Sequence, residues 1–261
     1  MAQEKSNLKI ALIQSALHWE NPSANRKMFS AKIEQIVEDV DLIVLPEMFS
    51  TGFTMSPENI KNEEGSITLS WMMDIAANIN SAVVGSIVFN EDDTHYNRLF
   101  FVEPNGKYVT YDKRHTFTLA GEHEKYTAGN KRLIVNYKGF AICPLICYDL
   151  RFPIWSRNTE DFDILLYAAN WPTPRINAWD ALLKARAIEN MAYCIGVNRV
   201  GADGLGHNYP GHSSLYDPLG ELISLSKKEE VLIVDVVKNE IDLIRNKLPF
   251  LNDRDRFSLL D

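Results

Sequence analysis

The chain has 261 residues, a formal net charge of −8, 46% hydrophobic and 24% charged residues, and no block of Lys or Arg. That length supports one large core, and the acidic balance excludes nucleic acid or an anionic membrane as the main partner. Three cysteines without a CxxC pair exclude a disulfide framework or a structural zinc site. No apolar run reaches transmembrane length, and the N-terminal "MAQEKSNLKIALIQSALHWE" lacks the apolar core of a secretory signal. The expectation is a reduced, cytoplasmic protein.

In chain order, "LKIALIQSA" reads as a strand, and "NPSANRKMFSAKIEQIVEDV" as a helix with Met28, Phe29, Ile33, Ile36, Val37 and Val40 at helical spacing. "DLIVLPE" is a strand that ends on Glu47, and "SITLSWMMDIAANIN" a second helix. "SAVVGSIVF" and "YNRLFFVEP" are strands, and "EPNGKY" predicts a hairpin turn at Asn105-Gly106 into "VTYDK", which ends on Lys113. "FAICPLICYD" runs apolar up to Cys147. "DILLYAAN" is followed by a helix over "INAWDALLKARAIENMAY", with Trp179, Leu182, Leu183, Ala187, Ile188 and Met191 on one face. "AYCIGVNRVG" and "EEVLIVDVV" complete the strands. The Gly-rich "GADGLGHNYPG" follows a strand without opening a helix, so it reads as a tightly turning loop and not a phosphate cradle. Alternation of this kind predicts an α/β fold with helices layered on mixed sheets, in a single domain over 1–261.

Three strand-like segments finish on a reactive side chain: Glu47, Lys113 and Cys147. Strand ends are where sites gather in layered α/β folds. Each residue alone has a plain reading: a solvated carboxylate, a surface lysine, a core thiol like Cys143. Their conjunction is more telling. A thiol becomes a strong nucleophile when a base takes its proton or a cation lowers its pKa. Glu47 suits the base. Lys113 suits both the cation and an oxyanion donor. The backbone N–H of Tyr148 is a second oxyanion donor if the chain turns sharply after Cys147. "GHSSLYDPLG" holds no G-x-S-x-G elbow, and His95, His115, His123 and His212 form no compact metal pattern, so they read as hydrogen-bonding or loop residues.

"LPEMFSTGF", "YDKRHTF" and "CPLICYDLRFP" resemble, in order and approximate spacing, the three signature segments of the nitrilase superfamily of carbon–nitrogen hydrolases. "LLYAANWP", "KARAIENMAYCIGVNRVG" and "GHSSLYDPLGE" resemble its downstream segments, so the likeness runs from "KIALIQ" to "EEVLIVDV". The resemblance implies a four-layer αββα sandwich, subunits paired through helices into a homodimer or higher oligomer, no metal and no cofactor. It implies catalytic roles for Glu47, Lys113 and Cys147, and a second glutamate that holds Lys113 and orients the substrate amide. "AGEHEKYTAG" offers Glu122 and Glu124; Glu122, seven residues before Gly129, matches the family spacing.

"YDKRHTF", "GEHEKYTAG", "CYDLRFP" and "NWP" most resemble the omega-amidase branch, which hydrolyses the terminal amide of 2-oxo-dicarboxylic monoamides such as 2-oxoglutaramate and 2-oxosuccinamate. An N-carbamoyl hydrolase, a nitrilase or another small-metabolite amidase would use the same triad, and a non-catalytic scaffold relative is the non-enzyme alternative. An anionic substrate needs a local cation in a net-negative protein. Arg175, in the Pro-stiffened "NWPTPRINAW", is the expected one, with a solvated loop arginine as its plain reading. Arg151 in "DLRFP" reads instead as a structural partner of Asp149. Phe117, Tyr126 and Trp171 are candidate pocket aromatics.

Overall fold

The structure is a computed structural model that describes residues 7–259. Residues 1–6 and 260–261, and with them the ends of the expected domain and the start of the segment read for a signal sequence, lie outside the described residues. The first half comprises β1 (Asn7–Gln14), α1 (Pro22–Glu34), β2 (Leu42–Val44), α2 (Glu64–Ile79), β3 (Ala82–Glu91), β4 (Thr94–Val102) and β5 (Tyr108–Asp112). The second comprises α3 (Glu122–Lys125), β6 (Val135–Tyr137), β7 (Phe140–Ile146), β8 (Ile164–Ala168), α4 (Ile176–Asn190), β9 (Tyr193–Val197), β10 (Val200–Ala202), β11 (Asn208–Pro210), β12 (Ser213–Tyr216), β13 (Leu222–Ser226), β14 (Glu230–Val237) and α5 (Lys238–Lys247).

Two six-stranded sheets form, in the orders β14-β1-β2-β3-β4-β5 and β13-β12-β9-β8-β7-β6, with β10 and β11 as a separate hairpin. Both sheets are mixed: β1, β2 and β3 run parallel, as do β7, β8 and β9, while the flanking strands are antiparallel. Strand alternation sorts the side chains by face. Ala11, Ile13, Ile43, Val83, Phe100 and Val102 pack under Phe29, Ile33, Met72 and Ala76 of α1 and α2. Leu12, Val44, Val84 and Phe101, on the opposite face, join one core with Ile142, Leu166 and Ile195 of the second sheet, whose outer face carries Trp179, Leu183 and Ala187 of α4. This is the αββα sandwich. Each fully buried Leu, Ile, Val or Phe in it contributes roughly 1.5–3 kcal/mol.

Helix ends follow local chemistry. The Asn21 side chain accepts from the Ala24 N–H and Pro22 opens α1, while Asn80 closes α2 in the left-handed region at φ 54°. The expected Asn105-Gly106 turn forms, with Gly106 at φ 81°. The first helix is shorter than the sequence spacing predicts: it ends at Glu34, and Val37 is 97% exposed, because the chain must reverse there to enter β2. The face of α4 is narrower too, since Ile188 is exposed and Met191 caps the helix at φ 47°. Pro144 is tolerated inside β7 because β6 pairs with β7 only through Ile142, leaving that edge without a ladder bond to lose. Among the described residues, no helix is long and apolar enough to cross a membrane.

Candidate active site

The parallel strands aim their C-terminal ends at one place. Glu47 follows β2, Lys113 follows β5, Cys147 follows β7, and Asn170 follows β8. Cys147 opens a short 3₁₀ turn, Cys147–Arg151, with φ at 43°. A non-glycine residue in that region stores strain that the surrounding structure must hold. Asp149 does the holding: its buried carboxylate accepts from the Ile146 N–H at 3.0 Å and from the Tyr111 hydroxyl at 2.7 Å. Tyr148 is the second residue of this turn, so its N–H has no intrahelical carbonyl to bond.

Glu47, Lys113 and Glu122 are fully buried and joined. Lys113 Nζ donates to Glu47 Oε1 at 2.8 Å and to Glu122 Oε1 and Oε2 at 3.0 and 2.8 Å. Glu122 also accepts from the Phe117 N–H at 2.5 Å. Sequence reasoning missed Asn97 and Asn170. Asn97 Nδ2 donates to both glutamates, at 2.8 Å to Glu47 and 3.1 Å to Glu122. The Asn170 N–H donates to Glu47 Oε2 at 2.9 Å, and the Cys147 thiol lies 3.8 Å from the Asn170 carbonyl. Asn170, at a strand end, was the available signal; Asn97 lies among Thr94, His95, Tyr96 and Arg98 in the polar first half of β4 and gave none. Gly129 lets the chain pass Lys113: an added Cβ there would lie 2.2 Å from the Asp112 carbonyl oxygen.

Electrostatics set the resting state. Burial lowers the Lys113 pKa, but the Glu122 and Glu47 carboxylates outweigh it and hold the ammonium above its ordinary value. Burial raises the Glu122 carboxyl, against the pull of Lys113. Burial, and after it the Glu47 charge, push the Cys147 thiol well above its ordinary value, although Lys113 pulls it down. Lys113 thus favours the thiolate, as expected, but burial and Glu47 outweigh it. Cys147 rests as a thiol beside a carboxylate. Cys143 and Cys194 are fully buried, and burial pushes Cys143 up to about 12.

Above Cys147 and Lys113 opens a cavity of about 400 Å³, walled by Phe53, Phe117, Tyr148, Arg151, Trp171 and Arg175, and roofed by Asp203, Leu205, His207 and Tyr209 of the β10–β11 hairpin. "GADGLGHNYPG" is thus a strand pair that covers the site, beyond the loop the sequence suggested. Phe117, Trp171 and Arg175 line the cavity; Tyr126 does not. It packs with Met48 and Val88, and its hydroxyl donates to the Thr54 carbonyl at 2.9 Å, because the short helix α3 turns it inward behind the glutamates. The expected Asp149–Arg151 pairing is absent: Asp149 binds Tyr111, Ile146 and His115 instead, and Arg151 stacks over the Trp171 ring at 5.0 Å.

The carbon-nitrogen hydrolase family model matches residues 9–246. Omega-amidase YafV of Escherichia coli (strain K12) is 44% identical over 254 residues, covering 97% of this chain and 98% of its own. The 2-oxoglutaramate amidase of Bacillus subtilis (strain 168) is 32% identical over 254 residues, covering 94% and 96%. The crystal structure of XC1258 from Xanthomonas campestris, a CN-hydrolase superfamily protein with an arsenic adduct in its active site, superposes with a TM-score of 0.94 at 37% identity, over 98% of this chain and all of that one. Matched over nearly its whole length, this chain belongs to the carbon–nitrogen hydrolase family and is an amide-cleaving enzyme of that kind.

Proposed function

We propose that the protein is an omega-amidase that hydrolyses the terminal amide of a small 2-oxo-dicarboxylic monoamide, 2-oxoglutaramate or 2-oxosuccinamate, to the acid and ammonia. The observation that carries the reading is Cys147 at a strained turn in the cavity, beside the ion-paired Glu47 and Lys113. The names of the relatives supply the substrate class. The arsenic adduct in XC1258 agrees with a reactive thiol, since arsenic(III) seeks sulfur.

In the first half-reaction Glu47 takes the Cys147 proton as sulfur attacks the amide carbon. A thiol–carboxylate resting pair suits this step, because the proton moves only when substrate is present. The carbonyl oxygen becomes an oxyanion held by Lys113 and the Tyr148 N–H. A bifurcated donation from Lys113 to Glu122 leaves one ammonium hydrogen for that oxyanion. Glu47 returns the proton to the leaving nitrogen, the C–N bond breaks, and ammonia departs from a Cys147 thioester. In the second half Glu47 takes a proton from water, the hydroxide oxygen attacks the thioester carbon, and the C–S bond breaks. The acid leaves and Cys147 regains its proton. Glu122 positions Lys113, and Asn170 lines the cavity beside Cys147 and holds Glu47 through its backbone N–H. Phe117 and Trp171 pack on the substrate chain, and Arg175 supplies a cation.

Three free cysteines fit work in the reducing cytoplasm, as a single hydrolase domain that pairs into a homodimer. The test is ammonia release from 2-oxoglutaramate by the purified protein and its loss in Cys147→Ala. Preference for N-carbamoyl compounds or nitriles would replace the substrate class. No turnover on a broad amide panel, together with no labelling of Cys147, would leave only a scaffold.

A further inference from the structure

We propose that Arg151 and Arg175 form a two-arginine clamp, coupled through Trp171, that holds the carboxylate of the substrate at the mouth of the Cys147 cavity. This rests on the amidase reading and assigns Arg151 a role beyond it. Both guanidiniums line the cavity, and among the described residues neither forms an ion pair. In a chain with a net charge of −8, two unpaired arginines on one cavity wall call for an anion that the protein itself does not supply.

The nearby carboxylates are already committed. Asp149 Oδ1 accepts from the His115 N–H and ring at 3.0 and 2.8 Å, and Oδ2 from Tyr111 and Ile146 at 2.7 and 3.0 Å. Asp203, the carboxylate of the cavity roof, accepts from the Leu205 and His207 N–H groups at 2.9 Å each. Its other oxygen takes the Tyr209 hydroxyl at 2.9 Å and the His207 ring at 3.1 Å. These donors leave neither carboxylate free to quench the arginines.

The aromatic supports fix the fork. Arg151 lies 5.0 Å over the Trp171 ring and Arg175 lies 5.0 Å over the Phe117 ring. Trp171 Nε1–H donates to the Arg175 carbonyl at 2.7 Å, so one indole supports both arginines. Stacked guanidiniums keep their edges free, and a planar fork grips a carboxylate through paired hydrogen bonds. Arg151 follows Cys147 by four residues in one 3₁₀ turn, an axial rise of about 8 Å. The clamp therefore selects a short amide whose carboxylate sits a few bonds from the scissile carbon, and disfavours a neutral amide of the same length.

The experiment compares succinamate with butyramide, the same four-carbon amide without the carboxylate. In Arg151→Gln, and separately in Arg175→Gln, the ratio of kcat/KM for succinamate over butyramide should fall about ten- to a hundredfold, carried by KM. Arg151→Lys, which keeps the charge and loses the fork, should fall between wild type and Arg151→Gln. A ratio that stays within about threefold of wild type in Arg151→Gln overturns the clamp. A binding measurement separates this from the amidase reading. By calorimetry, Cys147→Ala protein should bind succinate, and Arg151→Gln in that background should weaken binding about tenfold or more. Succinate binding with that dependence, but no turnover of 2-oxoglutaramate, would uphold the clamp and reject the omega-amidase reading. Succinate binding that ignores both arginines would reject the clamp alone.

Discussion

Replacing Glu122 by Gln tests the buried charge network with the least change of shape. The carboxylate takes four donations: two contacts from Lys113 Nζ at 3.0 and 2.8 Å, one from Asn97 at 3.1 Å, and one from the Phe117 N–H at 2.5 Å. A Gln keeps one acceptor oxygen and turns the other position into a donor. Whichever way the amide turns, the Asn97 Nδ2–H or the Phe117 N–H then faces another N–H and loses its partner, and Lys113 keeps a single neutral acceptor. A buried donor left unsatisfied costs about 1–3 kcal/mol, and a lost charge-assisted bond about 1.5–3 kcal/mol. A net destabilisation of about 2 kcal/mol lowers the Tm of a chain this size by roughly 4–8 °C. Where the same loss is expressed in the placement of Lys113 at the oxyanion, turnover falls about ten- to a hundredfold. The thiol should respond differently, since burial, Glu47 and Lys113 dominate the Cys147 shift. Ammonia release, thermal unfolding and iodoacetamide alkylation of Cys147 together give the readout. The expected result is a large loss of turnover, a lower Tm, and an alkylation rate within about threefold of wild type. Wild-type turnover with an unchanged Tm would refute the claim that Glu122 holds Lys113.

Glu47→Gln should lower turnover about 10²–10⁴-fold, the usual loss for a general base, and should impair acylation and thioester hydrolysis alike in single-turnover experiments. Limited iodoacetamide should label Cys147 before Cys143 or Cys194, which are wholly buried, with activity lost in step in peptide mass spectra. Because the Cys147 pKa is raised, its thiolate is the minor form below that value; alkylation should climb about tenfold per pH unit between about pH 7 and 9 while turnover, driven by Glu47, climbs less. A flat alkylation profile would mean a preformed thiolate. Light scattering should give about twice the chain mass or a higher multiple; a monomer at micromolar concentration would argue against pairing through the helices.

The strand-end residues were legible because an apolar run that stops on a charged or thiol side chain is a local pattern, and the layered fold brings such stops together. Glu47, Lys113 and Cys147 share that pattern. Their surroundings were harder to read. Tyr126 sits near Glu122 in sequence, yet the direction of a side chain in a four-residue helix is set by tertiary packing, and it faces the core. Arg151 and Asp149 are two apart, a spacing at which a tight turn points them to different surfaces, so Asp149 went inward to Tyr111 and Arg151 to Trp171. The hairpin of β10 and β11 was hidden because its strands are three residues each and lie within a Gly-rich segment. Helix α5 was missed outright, although Ile241 on it is buried. The end of α1 was misplaced because Val37 continues the apolar spacing while the chain already turns toward β2.

The central claim is a covalent thioester on Cys147, and it can be weighed directly. Wild-type protein is mixed with excess succinamate, quenched in acid within the first turnover, and analysed by intact and peptide mass spectrometry. The account predicts a mass increase of one succinyl group, located on the peptide that carries Cys147, absent from Cys147→Ala, and lost as succinate appears. A succinyl group on Cys143 or Cys194, or ammonia release at the wild-type rate by Cys147→Ala, would contradict it.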